Sequence, residues 1–249
     1  MSTPEAYLDT CFRLDERGRI VSTRTPNAEP GPLFILAGGP GGWAWRGHAA
    51  LPDDLSAELG AIARSEPMRA DLRRPPIHAD RYVGMLRSWS RGRGVSAEGC
   101  VVTAGPAFEF PMSAREGDRA CGDGDGDGDG DPQIVMIDDE GRLNRAFSGW
   151  VEGEIAGGCG PVMGIEDAGV PVSVCFCARS SPSAAEAGVN TAPAYRGRGY
   201  AGRVVAAWAR RVSAQGRTPR YSTRWDNLAS RRVASKLGLT PYASTWSVG

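Results

Sequence analysis

Three glycines and two arginines stand directly ahead of an amphipathic helix in the stretch Tyr195-Arg196-Gly197-Arg198-Gly199-Tyr200-Ala201-Gly202. The first backbone N–H groups of a helix have no partner within it. Beside guanidinium groups they make a receptor for phosphate. From Tyr200 onward, Ala201, Val204, Val205, Trp208, Ala209 and Val212 draw one apolar stripe, with Arg203, Arg210 and Arg211 mostly off it. Gln215-Gly216 closes the helix, because glycine accepts the left-handed conformation at a helix C-terminus. The turn therefore predicts a phosphate-bearing cofactor, held through Arg196, Gly197, Arg198, Gly199, Tyr200, Ala201 and Gly202.

Two cofactors fit such a turn. Gly197-x-Gly199-x-x-Gly202 satisfies the dinucleotide fingerprint, but that fingerprint needs a buried strand running straight into the first glycine. Here Ala192-Pro193-Ala194-Tyr195-Arg196 precedes it, and too little chain follows for the remaining crossover units of a doubly wound sheet. The pyrophosphate of coenzyme A is the second candidate, and the downstream order of elements favours it. Tyr221 to Trp225 alternates like a half-buried strand. Asp226 or Asn227 can cap a second helix, Leu228 to Leu237, closed by Gly238, and Pro241 to Val248 reads as a last strand. Upstream, Val170 to Arg179 and Ala185 to Thr191 are β-like, the latter ended by Pro193.

The pattern Arg196-Gly197-Arg198-Gly199-Tyr200-Ala201, then helix, strand, and Asn227-x-x-Ser230-x-x-Val233-Ala234-x-Lys236-Leu237-Gly238-Leu239, resembles the GNAT superfamily of acyl-CoA-dependent N-acetyltransferases. Ala185-Glu186-Ala187-Gly188-Val189 with Trp225-Asp226-Asn227-Leu228-Ala229-Ser230 is similar to a bacterial subgroup of GNAT proteins, mostly of unassigned substrate. The resemblance covers roughly the last 120 residues. It implies an α/β fold, a mixed central sheet flanked by helices, with acyl-CoA in a splay between two central strands. Residues 132–249 would form this domain, 122–131 a flexible Gly-Asp loop, and 1–121 an N-terminal region capping the acceptor cleft or forming a degenerate second copy of the fold.

The resemblance also assigns roles. Val189, Asn190 and Thr191 would offer backbone groups to the pantetheine arm and the acyl carbonyl, where an N–H can stabilise a tetrahedral oxyanion. Asn227 and Ser230 would meet the cofactor from the far side. The amine must arrive neutral, so a base is useful, and Glu186 is the candidate; its alternative role is a solvated strand residue or a partner for a nearby arginine. Family members often carry a tyrosine, the general acid, seven residues after the asparagine, and here that position is Ala234. Tyr195, Tyr200, Tyr221, Tyr242 or water would have to stand in. The implied activity is transfer of an acetyl group from acetyl-CoA to a primary amine of a small molecule by direct attack in a ternary complex. The alternative is a non-catalytic acyl-CoA sensor.

Composition sets outer limits. Basic and acidic residues balance at 29 each, which argues against a general nucleic-acid or membrane-surface binder. Met1 to Ile20 is polar and mixed in charge, without the pattern of a secretory signal, and no apolar run reaches membrane-spanning length. The six cysteines form no C-x-x-C pair and read as buried reduced thiols, from which a cytoplasmic location is expected; Cys175 and Cys177 should face the same side of a strand. The oligomeric state stays open between monomer and homodimer. His48 and His78 have no ligand-spaced partners, so no metal is expected.

The alternating Gly-Asp run from Gly122 to Asp131 cannot bury apolar area and reads as a solvated anionic loop. As a calcium loop it fails, because Ile134 takes the position that needs a bidentate carboxylate. Beyond it, Ile134 to Ile137 reads as a strand, and Leu143, Phe147, Trp150, Val151 and Ile155 as one helix stripe. Val162 to Ile165 and Val170 to Ala178 read as a hairpin around Glu166-Asp167-Ala168-Gly169. In the first part, Leu33 to Ala37 is a strand candidate followed by a glycine turn, and Asp53 or Asp54 starts a helix. Trp43, Trp45 and Trp89 read as core, with lining of a substrate cleft as the alternative.

Overall fold

The computed structural model describes residues 3–40, 42–68, 71–92, 100–115 and 132–249; the Gly-Asp run and Cys121 lie outside them. The chain begins with helix α1 (Pro4–Cys11) and a small hairpin, β1 (Phe12–Leu14) and β2 (Ile20–Thr23). Thr3 starts α1 by accepting the Ala6 N–H at 3.2 Å, and Pro4, with no N–H to lose, sits in the first turn. Next come β3 (Phe34–Gly39), β4 (Gly42–Gly47), α2 (Asp53–Arg64), α3 (Ala79–Arg91), β5 (Val102–Glu109) and the short α4 (Met112–Arg115). The second part runs β6 (Ile134–Met136), α5 (Glu140–Ala146), β7 (Met163–Asp167), β8 (Val170–Ser180), β9 (Ala184–Thr191), α6 (Tyr200–Ala214), β10 (Thr218–Ser222), α7 (Leu228–Lys236) and β11 (Thr240–Val248).

Nine strands form one sheet in the order β4-β3-β11-β5-β10-β9-β8-β7-β6. Every neighbouring pair is antiparallel except β9 and β10, which run parallel. β5 lies between β10 and β11, so strands from before and after the Gly-Asp run share the sheet. Alternation along the strands separates two faces. Ala185 and Ala187 pack with Val204, Val205 and Trp208 of α6, while Phe34, Leu36 and Trp246 pack with α2 and α3 on that same face. Ile35, Ala37 and Ala243 meet Tyr7, Leu8 and Cys11 of α1 on the opposite face, and α5 covers Val174 there.

Two expected elements differ. The stripe from Leu143 to Ile155 is not one helix: α5 stops at Ala146, and Gly149 and Gly153 take φ of 101° and 92°, which helical backbone excludes. A short π-helical turn, Ile155–Cys159, follows. The expected strand Tyr221 to Trp225 is β10 shifted three residues earlier: it starts at Thr218, where it pairs with β9, and it has left β9 after Arg220. It then follows β5 instead, with Thr223 N–H donating to Pro106 O at 3.2 Å and Trp225 N–H to Ala104 O at 3.1 Å. Gly105 permits this, since a Cβ there would stand 1.7 Å from the Thr223 carbonyl oxygen.

Other local elements lie near their expected places. Ala168 and Gly169 turn the β7–β8 hairpin with φ of 48° and 78°. Cys175 and Cys177 are both buried in the core beneath α6, and Cys11, Cys100, Cys159, Cys175 and Cys177 are all free thiols. Trp45 and Trp89 pack into the α2–α3 core. Trp43 packs there too, and also lines a cavity of about 180 Å³ with Trp225 and Trp246. Among the described residues no helix is long and apolar enough to cross a membrane.

Candidate active site

The glycine–arginine turn is pre-shaped. Pro193–Tyr195 forms a 3₁₀ turn, and Gly197 and Gly199 then take φ of 81° and 83°, a region costly for any residue with a Cβ. Gly199 is the N-cap of α6 and has no side chain to cap it, so the leading N–H groups of the helix are left for another acceptor. Arg196 Nε donates to Thr191 O at 3.2 Å, and the Arg198 guanidinium lies 4.8 Å from the Tyr195 ring centroid while donating to Ala194 O. Tyr195 stacks on Tyr200 and donates its hydroxyl to Asp167. That bond to Asp167, more than any other cause, raises the Tyr195 phenol above its ordinary pKa. Both arginines and the three glycines of the turn stay close to solvent, at the N-terminal end of α6 where its dipole favours an anion.

Next to this turn the sheet opens. β9 and β10 pair only over Ala184–Glu186 and Thr218–Arg220. Past Glu186, β9 keeps β8 as neighbour but has no strand on its other side. Ala192 N–H donates to Val172 O at 2.9 Å, which fixes the parity of the β8–β9 ladder. Asn190, opposite Val174, then turns its backbone groups to β8, whereas Val189 and Thr191 turn theirs into the opening. This corrects the expectation for Asn190: its main chain is taken by the ladder, and its exposed side chain alone is on offer. The Thr191 carbonyl is already held by Arg196, which leaves its N–H and both groups of Val189 facing the gap.

Glu186 sits at the fork, on the α1 face. It is 2% exposed, and its carboxylate accepts from Arg179 Nη1 at 2.8 Å, from Cys11 Sγ at 3.4 Å and from the Ser222 hydroxyl. Burial pushes the carboxyl upward, but the Arg179 charge and the bonds from Ser222, Arg179 and Cys11 outweigh it and hold the group below its ordinary pKa. It is an ionised, paired carboxylate. Tyr7 OH donates to Ser222 Oγ at 3.2 Å, and Arg220 Nη1 donates to Tyr242 OH at 2.9 Å on the same face. Tyr7, Cys11, Arg179 and Ser222 were not singled out by sequence reasoning. Tyr7 and Cys11 are four apart behind a Thr-Pro helix start, which was a readable signal for α1; Ser222 carries none.

Asn227 and Ser230 hold α7. Asn227 Oδ1 caps the helix by accepting Ser230 N–H at 3.0 Å, and Ser230 Oγ lies 2.6 Å from the Tyr221 hydroxyl. The exposed Asn227 keeps its amide nitrogen available. Ala234 is fully buried, so the usual acid position is filled by core. Tyr221 and Tyr242 are buried too, with their phenols raised mainly by burial, and Tyr200 stacks in the phosphate turn. Among the described residues no group of histidine, cysteine, aspartate and glutamate side chains is arranged to hold a metal ion.

A parallel strand pair that parts beyond a buried carboxylate, with a glycine–arginine turn at its mouth, defines an acyl-CoA transferase type of fold. Residues 140–245 match the family model of the GNAT acetyltransferases. Over those residues the chain thus carries a GNAT acetyltransferase domain, which marks it as an acyltransferase. No curated protein matches it. Among solved structures, a Drosophila protein superposes with a TM-score of 0.50 at 14% identity, over 83% of this chain and 70% of that one. A GCN5-related N-acetyltransferase-like protein from Streptococcus suis gives 0.48 at 17% identity, covering 88% and 85%. A GNAT-family acetyltransferase from Novosphingobium aromaticivorans gives 0.44 at 22%, covering 60% of this chain and 66% of that one, just under two thirds of its length. At 14% identity the likeness to the Drosophila protein is one of fold.

Proposed function

We propose that the protein transfers an acetyl group from acetyl-CoA to a primary amine of a small molecule, within a complex holding both substrates. The supporting observation is the fork itself: β9 and β10 separate directly after Glu186, and the phosphate turn stands at the mouth of the gap. In this reading Arg196 to Gly202 bind the pyrophosphate, and the open backbone groups of Val189 and Thr191 take the pantetheine arm and the acyl oxygen. Asn227, with Ser230 behind it, closes the far side. The neutral amine attacks the thioester carbonyl carbon, a C–N bond forms, and the C–S bond breaks with its electron pair leaving on sulfur. Glu186 takes the proton from nitrogen, and a proton later reaches the thiolate, so the net transfer is nitrogen to sulfur. Residues 1–121 serve the acceptor side, since α1 covers Glu186. Cys11 and Cys175 are unsuited as acyl carriers: burial raises their thiols far above the range in which a thiolate forms.

The test is thiol release from acetyl-CoA over a panel of amines, with calorimetric titration of CoA alongside. Turnover that disappears in Glu186→Gln while CoA still binds is the expected result. Binding without turnover on any amine would leave an acyl-CoA sensor as the better description.

A further inference from the structure

We infer that Ser222 relays protons between the open cleft and the buried Glu186, with Tyr7 of α1 setting the relay's direction; this rests on Glu186 being the base. At 2% exposure Glu186 does not itself reach a substrate nitrogen in the gap. The groups that face it come from four elements: Tyr7 and Cys11 from α1, Arg179 from β8, Ser222 and Arg220 from β10, and Tyr242 from β11. Arg179 stays charged, with its guanidinium held further toward the charged form by Glu186. Cys11 is fixed as a protonated donor by burial and by the neighbouring carboxylate. Ser222 is different. It is only half-buried and ends β10 where that strand has already parted from β9, so its hydroxyl joins the carboxylate to the cleft.

The hydrogen-bond inventory of a serine hydroxyl is one donor and two acceptor sites. The Ser222 proton points at Glu186, and the Tyr7 hydroxyl at 3.2 Å fills one acceptor site. One site remains. Burial first, then Cys11 and Glu186, keep the Tyr7 phenol protonated, so Tyr7 stays a donor to Ser222 and does not compete with Glu186 for the Ser222 proton. The step balances. As the C–N bond forms, the nitrogen proton passes to Ser222 Oγ while the Ser222 proton passes to Glu186. The thiolate leaves with the C–S pair. The reverse hop then restores ionised Glu186 and delivers the proton toward the sulfur. Ser222 is thus a catalytic residue that hands the proton on to Glu186, Tyr7 is a positioning residue acting through Ser222, and the N-terminal helix is part of the chemistry.

The test compares Ser222→Ala, Ser222→Thr, Tyr7→Phe and Glu186→Gln in the full chain, on an amine the wild type acetylates. Ser222→Ala is expected to lower kcat by about 100-fold or more, the lower end of the usual general-base effect, with KM for acetyl-CoA within about twofold. Ser222→Thr, which keeps the hydroxyl, should restore most of the rate. Tyr7→Phe should shift the acidic limb of the pH profile and lower the solvent isotope effect on kcat. Should Ser222→Ala fail to fold, Ser222→Cys replaces it at similar volume with a weak donor. Wild-type kcat, pH profile and isotope effect in these variants, beside an inactive Glu186→Gln, would overturn the relay and leave the base assignment standing. A fully active Glu186→Gln, or a wild type that binds CoA and acetylates no amine, would instead remove the functional reading and the relay with it.

Discussion

Replacing Arg179 by methionine should make the protein less stable and reverse the sign of part of its pH dependence. Glu186 is almost wholly buried, and Arg179 meets it at 2.8 Å with its own side chain 34% exposed. Removing one partner of a buried pair costs about 3–5 kcal/mol, because the remaining charge is left uncompensated. The partial exposure of Arg179 screens the pair, which points to the lower end, near 3 kcal/mol at pH 7. In the wild type the Glu186 carboxyl titrates below its ordinary value. Its contribution to stability is therefore present above the unfolded value of about 4.3 and is lost as pH falls through the folded value. In Arg179→Met, burial, the largest influence on this group and an upward one, no longer meets the arginine charge. The folded value then lies above the unfolded one, so stability from this group is complete below about pH 4.3 and declines as pH rises toward the folded value. The slope in that window approaches about 1.4 kcal/mol per pH unit. Urea denaturation midpoints from pH 4 to 8 read both effects. Adding Glu186→Gln should recover much of the loss, since the uncompensated charge is gone. A variant within about 1 kcal/mol of wild type at pH 7, with an unchanged slope, would refute the account of Glu186 as an ion-paired buried carboxylate.

Three further outcomes follow from the geometry. Arg196→Ala should weaken CoA binding by about 1–3 kcal/mol in calorimetry if its charge meets phosphate; an unchanged dissociation constant would count against that placement. Gly105→Ala should destabilise by about 3 kcal/mol, near the top of the overpacking range, because the obstructing atom is the Thr223 backbone oxygen rather than a side chain that could rotate away; a midpoint equal to wild type in thermal melting would contradict this. Residues 132–249 expressed alone should not fold cooperatively, because both strands that flank β11, β3 and β5, come from earlier in the chain. A sharp two-state melt of that fragment would be evidence against it.

What the sequence disclosed, and what it hid, follows from how far apart the interacting residues lie. The shape of the glycine–arginine turn was readable because its requirements are local: Gly197 and Gly199 supply positive φ, and the stripe beginning at Ala201 supplies the helix. The β7–β8 hairpin and α7 were readable for the same reason, each marked by its own turn or capping residue. The break after α5 was not, because the apolar spacing from Leu143 to Ile155 continues through glycines whose backbone is not helical. Periodicity reports which side chains are buried, and a folded loop can bury them at the same spacing. The environment of Glu186 was the least legible. Its carboxylate is governed by Cys11 and Ser222, 175 and 36 residues away, and by Arg179, which reaches it across a bulge in β8. Glu186 on a strand between alanines looks the same whether it faces solvent or a guanidinium. Its accessibility is decided by a helix at the other end of the chain, and that helix docks there because β3, β11 and β5 build the sheet face it packs on. The chemistry of the fork thus belongs to the whole sheet, although the turn beside it can be read from eight consecutive residues.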